Sequence, residues 1–227
     1  MLTIIPNLLS AEDIAHCRHV LETSDWVDGK VTAGPQSARA KHNLQVPETA
    51  SQAKALGDMI LTRLGRHPTF LSAVLPAKVV PPLFNRYDVG MTFGAHIDNA
   101  IRFGGPGGAR YRTDLSCTLF LSEPADYDGG ELVIEASHGT QSVKLAAGSL
   151  LVYPASTVHR VQPITRGSRW ASFFWVQSMV RDDGRRALLY DLDQAIIAAR
   201  ADLADEHRAV IGLTGTYHNL LRMWAEA

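Results

Sequence analysis

Two histidines and one aspartate could bind a single metal ion if the fold brings them together. His96 and Asp98 lie two residues apart, just after a turn signal at residues 88–90. Side chains alternate between faces along an extended strand, so His96 and Asp98 should point to the same face. His159, much later in the chain, could complete a set of two imidazoles and one carboxylate. That set suits non-haem Fe(II) and leaves coordination positions open for other ligands.

Arg169 strengthens this interpretation, because a His-x-Asp pair alone occurs by chance in many proteins. Arg169 begins an aromatic-rich, strand-like run at residues 169–176, ten residues after His159. Its planar guanidinium can bind a carboxylate through two parallel hydrogen bonds. Four residues in this order are harder to explain by chance than the pair alone.

These segments resemble the Fe(II)- and 2-oxoglutarate-dependent dioxygenases, in their prolyl-hydroxylase-like branch. The closest resemblance is to the bacterial PKHD-type hydroxylases, which are associated with iron uptake, and it runs nearly end to end. The motifs that carry it are Tyr87-x-x-Gly90, Phe93-x-x-His96-x-Asp98, and residues 159–163 and 169–171.

The resemblance implies a role for each candidate residue. His96, Asp98 and His159 would bind Fe(II), and Arg169 would bind the far carboxylate of the cosubstrate 2-oxoglutarate. Tyr87 is either a hydrogen-bond donor to that cosubstrate or a structural residue near a turn. L-ascorbate is a further candidate cofactor.

The implied reaction is hydroxylation of an unactivated C–H bond by molecular oxygen, with release of succinate and CO2. The substrate is a small molecule or a peptide, and a prolyl residue, a free amino acid and a siderophore-like iron chelate all stay open. Two departures concern cosubstrate binding. Many relatives have Arg-x-Ser where this chain has Ala171, and some have Tyr where it has Phe120.

From Asp114 onward the sequence predicts a series of short strands. Strand-like segments occupy residues 115–121, 131–135, 141–145, 149–153 and the regions around His159 and Arg169, with turn signals at residues 128–130 and 147–148. Strands at this spacing favour a sandwich or jelly roll, which returns distant strands to one opening. We therefore predict an α+β fold with a double-stranded β-helix (jelly-roll) core.

Helical periodicity predicts helices on both sides of this core. Ser10 is a candidate N-cap, and apolar residues recur at helical spacing within residues 49–66 and, after Val180, within residues 188–199 and 217–224. The N-terminal helices should support the sheet. We predict a jelly-roll dioxygenase domain at residues 1–180 and a helical appendage packed on it at residues 181–227.

Two segments could border the site. In the first segment the polar residues Lys41, Asn43 and Gln45 alternate along the chain, which fits either an edge strand with one solvated face or a lining of the site's mouth. The second segment, residues 99–113, predicts either a mobile loop beside the metal, whose arginines meet an anionic or polar substrate, or a plain flexible connection. Its glycines are Gly104, Gly105, Gly107 and Gly108, and its arginines are Arg102, Arg110 and Arg112.

Composition and charge limit the possible partners and the cellular location of the protein. The 227 residues carry a formal net charge of −1, which argues against a broad basic surface for nucleic acid. We find no apolar run of about eighteen residues and no signal peptide, and therefore expect no membrane segment. Cys17 and Cys117 are expected to be buried, reduced thiols in a cytoplasmic protein. The apolar faces of the C-terminal helices could form a homo-oligomer.

Other classes fit the residues less well. A non-catalytic, cupin-like metal-binding or sensor protein is the main alternative, but the His-x-His signature is absent and Arg169 would have no role. A zinc hydrolase lacks an obvious general base beside the ligands. A nucleic-acid demethylase would have a second arginine shortly after Arg169, and a halogenase would lack the Asp98 carboxylate.

Overall fold

Two antiparallel sheets pack over a shared core. The computed structural model describes residues 1–32, 34–104, 108–136 and 139–226. Buried side chains from both sheets form one cluster, with Tyr87, Phe120 and Leu151 from one sheet and Leu132 and Ile134 from the other. Sheets packed face to face in this way confirm the predicted jelly-roll core.

The bounds of the strands and helices are as follows. The strands are β1 (Thr3–Ile5), β2 (Val27–Asp28), β3 (Lys41–His42), β4 (Leu44–Gln45), β5 (Pro76–Val79), β6 (Leu83–Tyr87), β7 (Thr92–His96), β8 (Ile101–Gly104), β9 (Ala109–Arg112), β10 (Leu115–Phe120), β11 (Tyr127–Gly129), β12 (Leu132–Ala136), β13 (Gly139–Val143), β14 (Leu150–Pro154), β15 (Val158–Val161), β16 (Ile164–Gly167) and β17 (Arg169–Ser178). The helices are α1 (Ala11–Glu22), α2 (Pro35–Ala40), α3 (Ser51–Leu64), α4 (Pro68–Val74), α5 (Asp183–Asp202) and α6 (Arg208–Trp224).

The strand order explains how distant segments meet. In the larger sheet the order is β1-β14-β10-β17-β6-β4-β2, and β5 also pairs with β17. In the smaller sheet the order is β13-β12-β15-β7-β3. Consequently β7 and β15, which carry the two candidate histidines, are neighbours although more than sixty residues separate them.

The N-terminal helices cover the outer face of the larger sheet. Ser10 is the N-cap of α1, as the sequence predicts, and the structure adds a reciprocal capping box with Asp13. On α3 the residues at helical spacing, including Leu56 and Ile60, are buried in a cluster with Phe84 of β6 and Phe174 of β17. These helices therefore support the two strands on which Arg169 and Tyr87 lie.

The C-terminal helices form a smaller cluster at the end of the larger sheet. Leu189 of α5 packs with Leu75 and Val180, and with apolar side chains of α6. The buried guanidinium of Arg186 donates hydrogen bonds to the carbonyl oxygens of Val180 and Arg181, which ties the start of α5 to the preceding chain. No helix in the described part of the chain is long and apolar enough to cross a membrane.

Three short elements differ from the sequence prediction. The short helix α2 precedes the extended segment at residues 41–45, and the short helix α4 begins at Pro68; apolar periodicity predicts neither helix. Proline suits the first position of a helix, and helices of one or two turns are too short to show apolar periodicity. Residues 99–113, predicted as a loop, contain the β8–β9 hairpin, and residues 105–107 of this segment lie outside the described residues.

We predict that Leu56→Ala lowers the free energy of unfolding by about 2–5 kcal/mol, because it leaves a cavity in the core beneath β6 and β17. Leu188→Ala, at a leucine of α5 that is 59% exposed, is the matched control and should change it by less than about 0.5 kcal/mol. Chemical denaturation measures both values. Equal effects of the two substitutions would contradict the packing described here.

Candidate metal centre and cosubstrate pocket

The three candidate metal ligands converge at the end of β7. His96 is the last residue of β7 and lies directly opposite His159 of β15 in the antiparallel pairing. The nearest Asp98 carboxylate oxygens lie 4.0 Å from His96 Nε2 and 3.7 Å from His159 Nε2. One ligand atom from each residue lies within 4.8 Å of the other two, so the three side chains could bind a single ion.

Backbone hydrogen bonds orient both imidazoles. His96 Nδ1 lies 2.8 Å from the carbonyl oxygen of Gly94, and His159 Nδ1 lies 3.0 Å from that of Thr157. A carbonyl oxygen only accepts, so each Nδ1 would carry a proton; in a neutral imidazole the lone pair is then on Nε2, where a metal can bind. Burial, and then the neighbouring His159, lower the pKa of His96, which keeps its imidazole neutral at pH 7.

Neighbouring side chains hold the ligands in place. Ser116 of β10 donates a hydrogen bond of 2.5 Å to Asp98 Oδ2. The Phe93 ring stacks on His96 at 3.5 Å between centroids, and Tyr153 meets His159 edge-on at 5.1 Å. Ser116 and Tyr153 come from the larger sheet, and sequence reasoning did not identify either of them. Only the pairing of β10 with β14 reveals that they share a face.

Arg169 lies deep in the same cleft. It is the first residue of β17, pairs with Tyr87 of β6, and is 1% exposed. Its guanidinium carbon lies 5.5 Å from the centre of the Tyr87 ring and 5.2 Å from that of Phe120. Among the described residues its Nε has no hydrogen-bond partner. Buried cations are normally paired, so this guanidinium is arranged for an anion.

Two tyrosines lie beside Arg169. Tyr87 lines the cleft, and burial raises the pKa of its phenol to about 12, so the hydroxyl keeps its proton. Tyr127 of β11, which sequence reasoning missed, is fully buried, and its phenol lies beside the Arg169 guanidinium. Burial raises the pKa of Tyr127, while the charge of Arg169 opposes that increase. Ala171 and Phe120 bring no hydroxyl, as the sequence indicates.

A cleft between the sheets joins these groups. It has a volume of about 780 Å3 including its mouth, and its lining includes the three candidate ligands, Arg169, Tyr87, Lys41 and Arg102. Lys41, Asn43 and Gln45 are all buried, so the alternative of a solvated strand face is wrong. Of the three arginines near the predicted loop, Arg102 lines the cleft, whereas Arg110 is exposed and Arg112 pairs with Asp114 and Glu226.

The side chains fit an iron ion and a dicarboxylate. Two neutral imidazole nitrogens and one carboxylate are a donor set that Fe(II) accepts. The buried guanidinium of Arg169 supplies a charge and an unpartnered donor for a carboxylate in the same cleft. Both kinds of ligand could therefore be held here.

Comparison with known proteins agrees with this chemistry. Residues 82–177 match the family model described as the 2OG-Fe(II) oxygenase superfamily, and residues 183–226 match the PKHD-type hydroxylase C-terminal domain. The first match contains all four candidate site residues and the strands that carry them. The fold and this match define the class as iron- and 2-oxoglutarate-dependent oxygenases.

Similar curated proteins identify the family within this class of oxygenases. The chain is 59% identical over 226 residues to a PKHD-type hydroxylase of Methylobacterium nodulans, with 100% of both chains covered. PKHD-type hydroxylases of Gluconobacter oxydans and Pseudomonas putida are 60% and 56% identical, again over 100% of each chain. The protein therefore belongs to the PKHD-type hydroxylases, enzymes whose cofactor and cosubstrate are Fe(II) and 2-oxoglutarate. This result excludes the cupin-like binding protein.

Solved structures agree on the fold. A prolyl-4-hydroxylase of Pseudomonas putida aligns with a TM-score of 0.50 and 21% identity, covering 78% of this chain and 92% of that chain. A prolyl hydroxylase of Trichoplax adhaerens, in complex with a hypoxia inducible factor peptide fragment, gives 0.54 and 17%, covering 82% and 86%. At these identities the likeness shows the fold and leaves the substrate open.

We predict that His159→Ala weakens Fe(II) binding at least ten-fold, because it removes one of three protein ligands from the ion. Anaerobic isothermal titration calorimetry measures the affinity. The matched control is His16→Ala, at an exposed histidine of α1, which should bind iron as the unchanged protein does. Equal affinity in both variants would show that the ion binds elsewhere.

Proposed function

We propose that this enzyme hydroxylates an unactivated C–H bond at the centre formed by His96, Asp98 and His159. One atom of molecular oxygen enters the substrate as a hydroxyl group. The other enters succinate, which forms with CO2 as 2-oxoglutarate is oxidised and decarboxylated. The observation that carries the proposal is that one cleft holds both the triad and the buried Arg169, whose Nε has no partner among the described residues.

The proposed roles follow from the contacts. His96 and His159 offer Nε2 to iron because their Nδ1 protons are bound to backbone carbonyls. Asp98 offers a carboxylate oxygen, and Ser116 fixes its orientation. Iron, when bound, supplies the activation of oxygen that no protein side chain provides. Arg169 holds the far carboxylate of 2-oxoglutarate and so determines which end of the cosubstrate reaches the metal.

The proposal also covers the cellular location, the oligomeric state and the substrate of the enzyme. A cytoplasmic location is supported by Cys17 and Cys117, which are buried free thiols. A homo-oligomer through the C-terminal helices is supported by exposed apolar side chains there, such as Ile211 at 57% and Met223 at 74%. A prolyl, amino-acid or iron-chelate substrate, L-ascorbate as a further cofactor, and the domain division at residue 180 stay predictions.

We predict that Arg169→Ala weakens 2-oxoglutarate binding by about 100-fold, the loss of a charge-assisted, bidentate contact. The measurement is anaerobic titration of the Fe(II)-loaded protein with 2-oxoglutarate, followed by the weak visible metal-to-ligand charge-transfer band. Iron affinity should change much less, because Arg169 lies outside the triad.

The matched control is Arg110→Ala, at an exposed arginine of β9. It should leave the titration unchanged. If Arg169→Ala binds 2-oxoglutarate with normal affinity, as followed by this band, the proposed cosubstrate role of Arg169 is contradicted. No band in the unchanged protein, with iron demonstrably bound, would contradict the proposed arrangement of the site as a whole.

We further predict that Tyr127→Phe weakens 2-oxoglutarate binding by about ten-fold or more, because the Tyr127 phenol lies beside Arg169 and would donate to the carboxylate that Arg169 holds. One hydrogen bond to a charged group contributes about 1.5–3 kcal/mol. Tyr87→Phe is the comparison, because both phenols lie beside the guanidinium. The same charge-transfer titration measures both. An effect of Tyr87→Phe alone would assign the assisting hydroxyl to Tyr87 instead.

A further inference from the structure

A second group of cations borders the metal centre, and the chemistry assigned above does not use it. Lys41 of β3 is 4% exposed and lies directly opposite Phe93 of β7, whose ring stacks on His96. Its Nζ lies 5.3 Å from the Phe93 ring centre and 5.6 Å from that of Phe173. The ammonium group is therefore about one side chain away from the metal ligands.

Arg102 of β8 lies beside Lys41. Its Nη1 donates to the carbonyl oxygen of Thr32 at 3.0 Å, while Lys41 Nζ donates to the hydroxyl of the same residue at 3.0 Å. The guanidinium covers Trp175, with its carbon 4.3 Å from the ring centre. Thr32 thus brings one buried and one partly buried cation together on one wall of the cleft, and both line it.

Within the part of the chain that the structure describes, each of the two cations keeps one hydrogen-bond donor without a partner. Lys41 has three N–H groups and donates to two neutral acceptors, the Thr32 hydroxyl and Gln45 Oε1 at 3.3 Å. Arg102 Nε is buried without a partner among the described residues. Two free donors from two cations fit the two oxygens of a carboxylate.

The balance of charges in the cleft also favours a carboxylate as the ligand. The dianion of 2-oxoglutarate and Asp98 offset Arg169 and the iron ion, and Glu48 lies 3.4 Å from Arg102 as its partner. One positive charge remains, because the contacts of Lys41 are neutral. Burial, and then the charge of Arg102, lower the pKa of Lys41 to about 8, so it is still mostly protonated at pH 7. A buried charge of this kind is costly unless a ligand neutralises it.

We infer that the substrate is a small molecule bearing a free carboxylate, which binds between Lys41 and Arg102 while its reacting C–H bond faces the iron site. The aromatic rings of Phe93, Phe173 and Trp175 form the walls around the rest of that molecule. This inference rests on the proposed function. It favours a free or N-acylated amino acid over a residue inside a peptide chain, where that carboxylate is an amide.

The test compares acids with their own amides. Full-length protein, loaded anaerobically with Fe(II) and 2-oxoglutarate, is titrated in a calorimeter with N-acetylamino acids and with the corresponding N-acetylamino amides. We expect the best acid to bind at least ten-fold more tightly than its amide in the unchanged protein and in Lys41→Arg. The preference should fall below two-fold in Lys41→Met. Arg102→Gln should reduce it, and the matched Arg110→Gln should not.

Three outcomes would overturn the inference. They are amides that bind as tightly as acids, the absence of binding by every pair, and an acid preference that survives in Lys41→Met. Thermal unfolding of ligand-free protein separates binding from structure. Lys41→Met should match or exceed the unchanged protein, because it replaces a buried charge by an apolar chain of similar length. A lower melting temperature with the acid preference intact would assign Lys41 a structural role.

The charge-transfer band distinguishes a wrong substrate inference from a wrong proposed function. If the band forms with 2-oxoglutarate but acids and amides bind alike, the cosubstrate site stands and only the substrate inference is wrong. If Lys41→Met abolishes the band while Arg169→Ala keeps it, Lys41 binds the cosubstrate and the inference is also wrong.

Discussion

The antiparallel pairing of β7 with β15 is the constraint on which the rest of the site depends. It places His159 opposite His96, at a separation that lets two imidazoles reach one ion. A slip of one residue would turn an imidazole to the other face of the sheet and remove it from the cleft. The register of this pair shifts between His159 and Val161, an irregularity of the kind that often redirects side chains beside active sites. Strand register, more than spacing along the chain, therefore determines this metal centre.

Burial follows from that pairing and has opposite effects on the ligands and on the cations. For His96 it favours the neutral imidazole, which is the form that binds a metal. For Arg169 and Lys41 burial removes water, and no carboxylate of the described residues forms an ion pair with either cation, which disfavours the site without a ligand. A cleft with this balance gains most from anionic ligands. The same packing that prepares the histidines therefore also prepares the site for 2-oxoglutarate and, as we infer, for a carboxylate substrate.

The sequence predicted those features that repeat or that have a chemical signature. The strands after Asp114, the N-cap at Ser10 and the apolar face containing Leu56 each show a period or a residue type that the structure confirms. The site residues His96, Asp98, His159 and Arg169 could be proposed because a metal set and its arginine have a recognisable order. Ser116, Tyr127 and Thr32 could not, because a single hydroxyl has no signature and its role depends on which strand pairs with which. The β8–β9 hairpin was missed because its glycines and arginines are equally typical of a loop.

The positions of the cations suggest how one fold can keep its chemistry and vary its substrate. Arg169 lies on β17, which has strands on both sides and the helical layer behind it, so little can change there without affecting the core. Lys41 lies on β3, the edge strand of the smaller sheet, and Arg102 lies on the separate β8–β9 hairpin. Edge strands and hairpins tolerate substitution and insertion better than central strands. The proposed cosubstrate site is thus built from the most constrained part of the molecule, and the inferred substrate site from the least constrained part that still borders the metal.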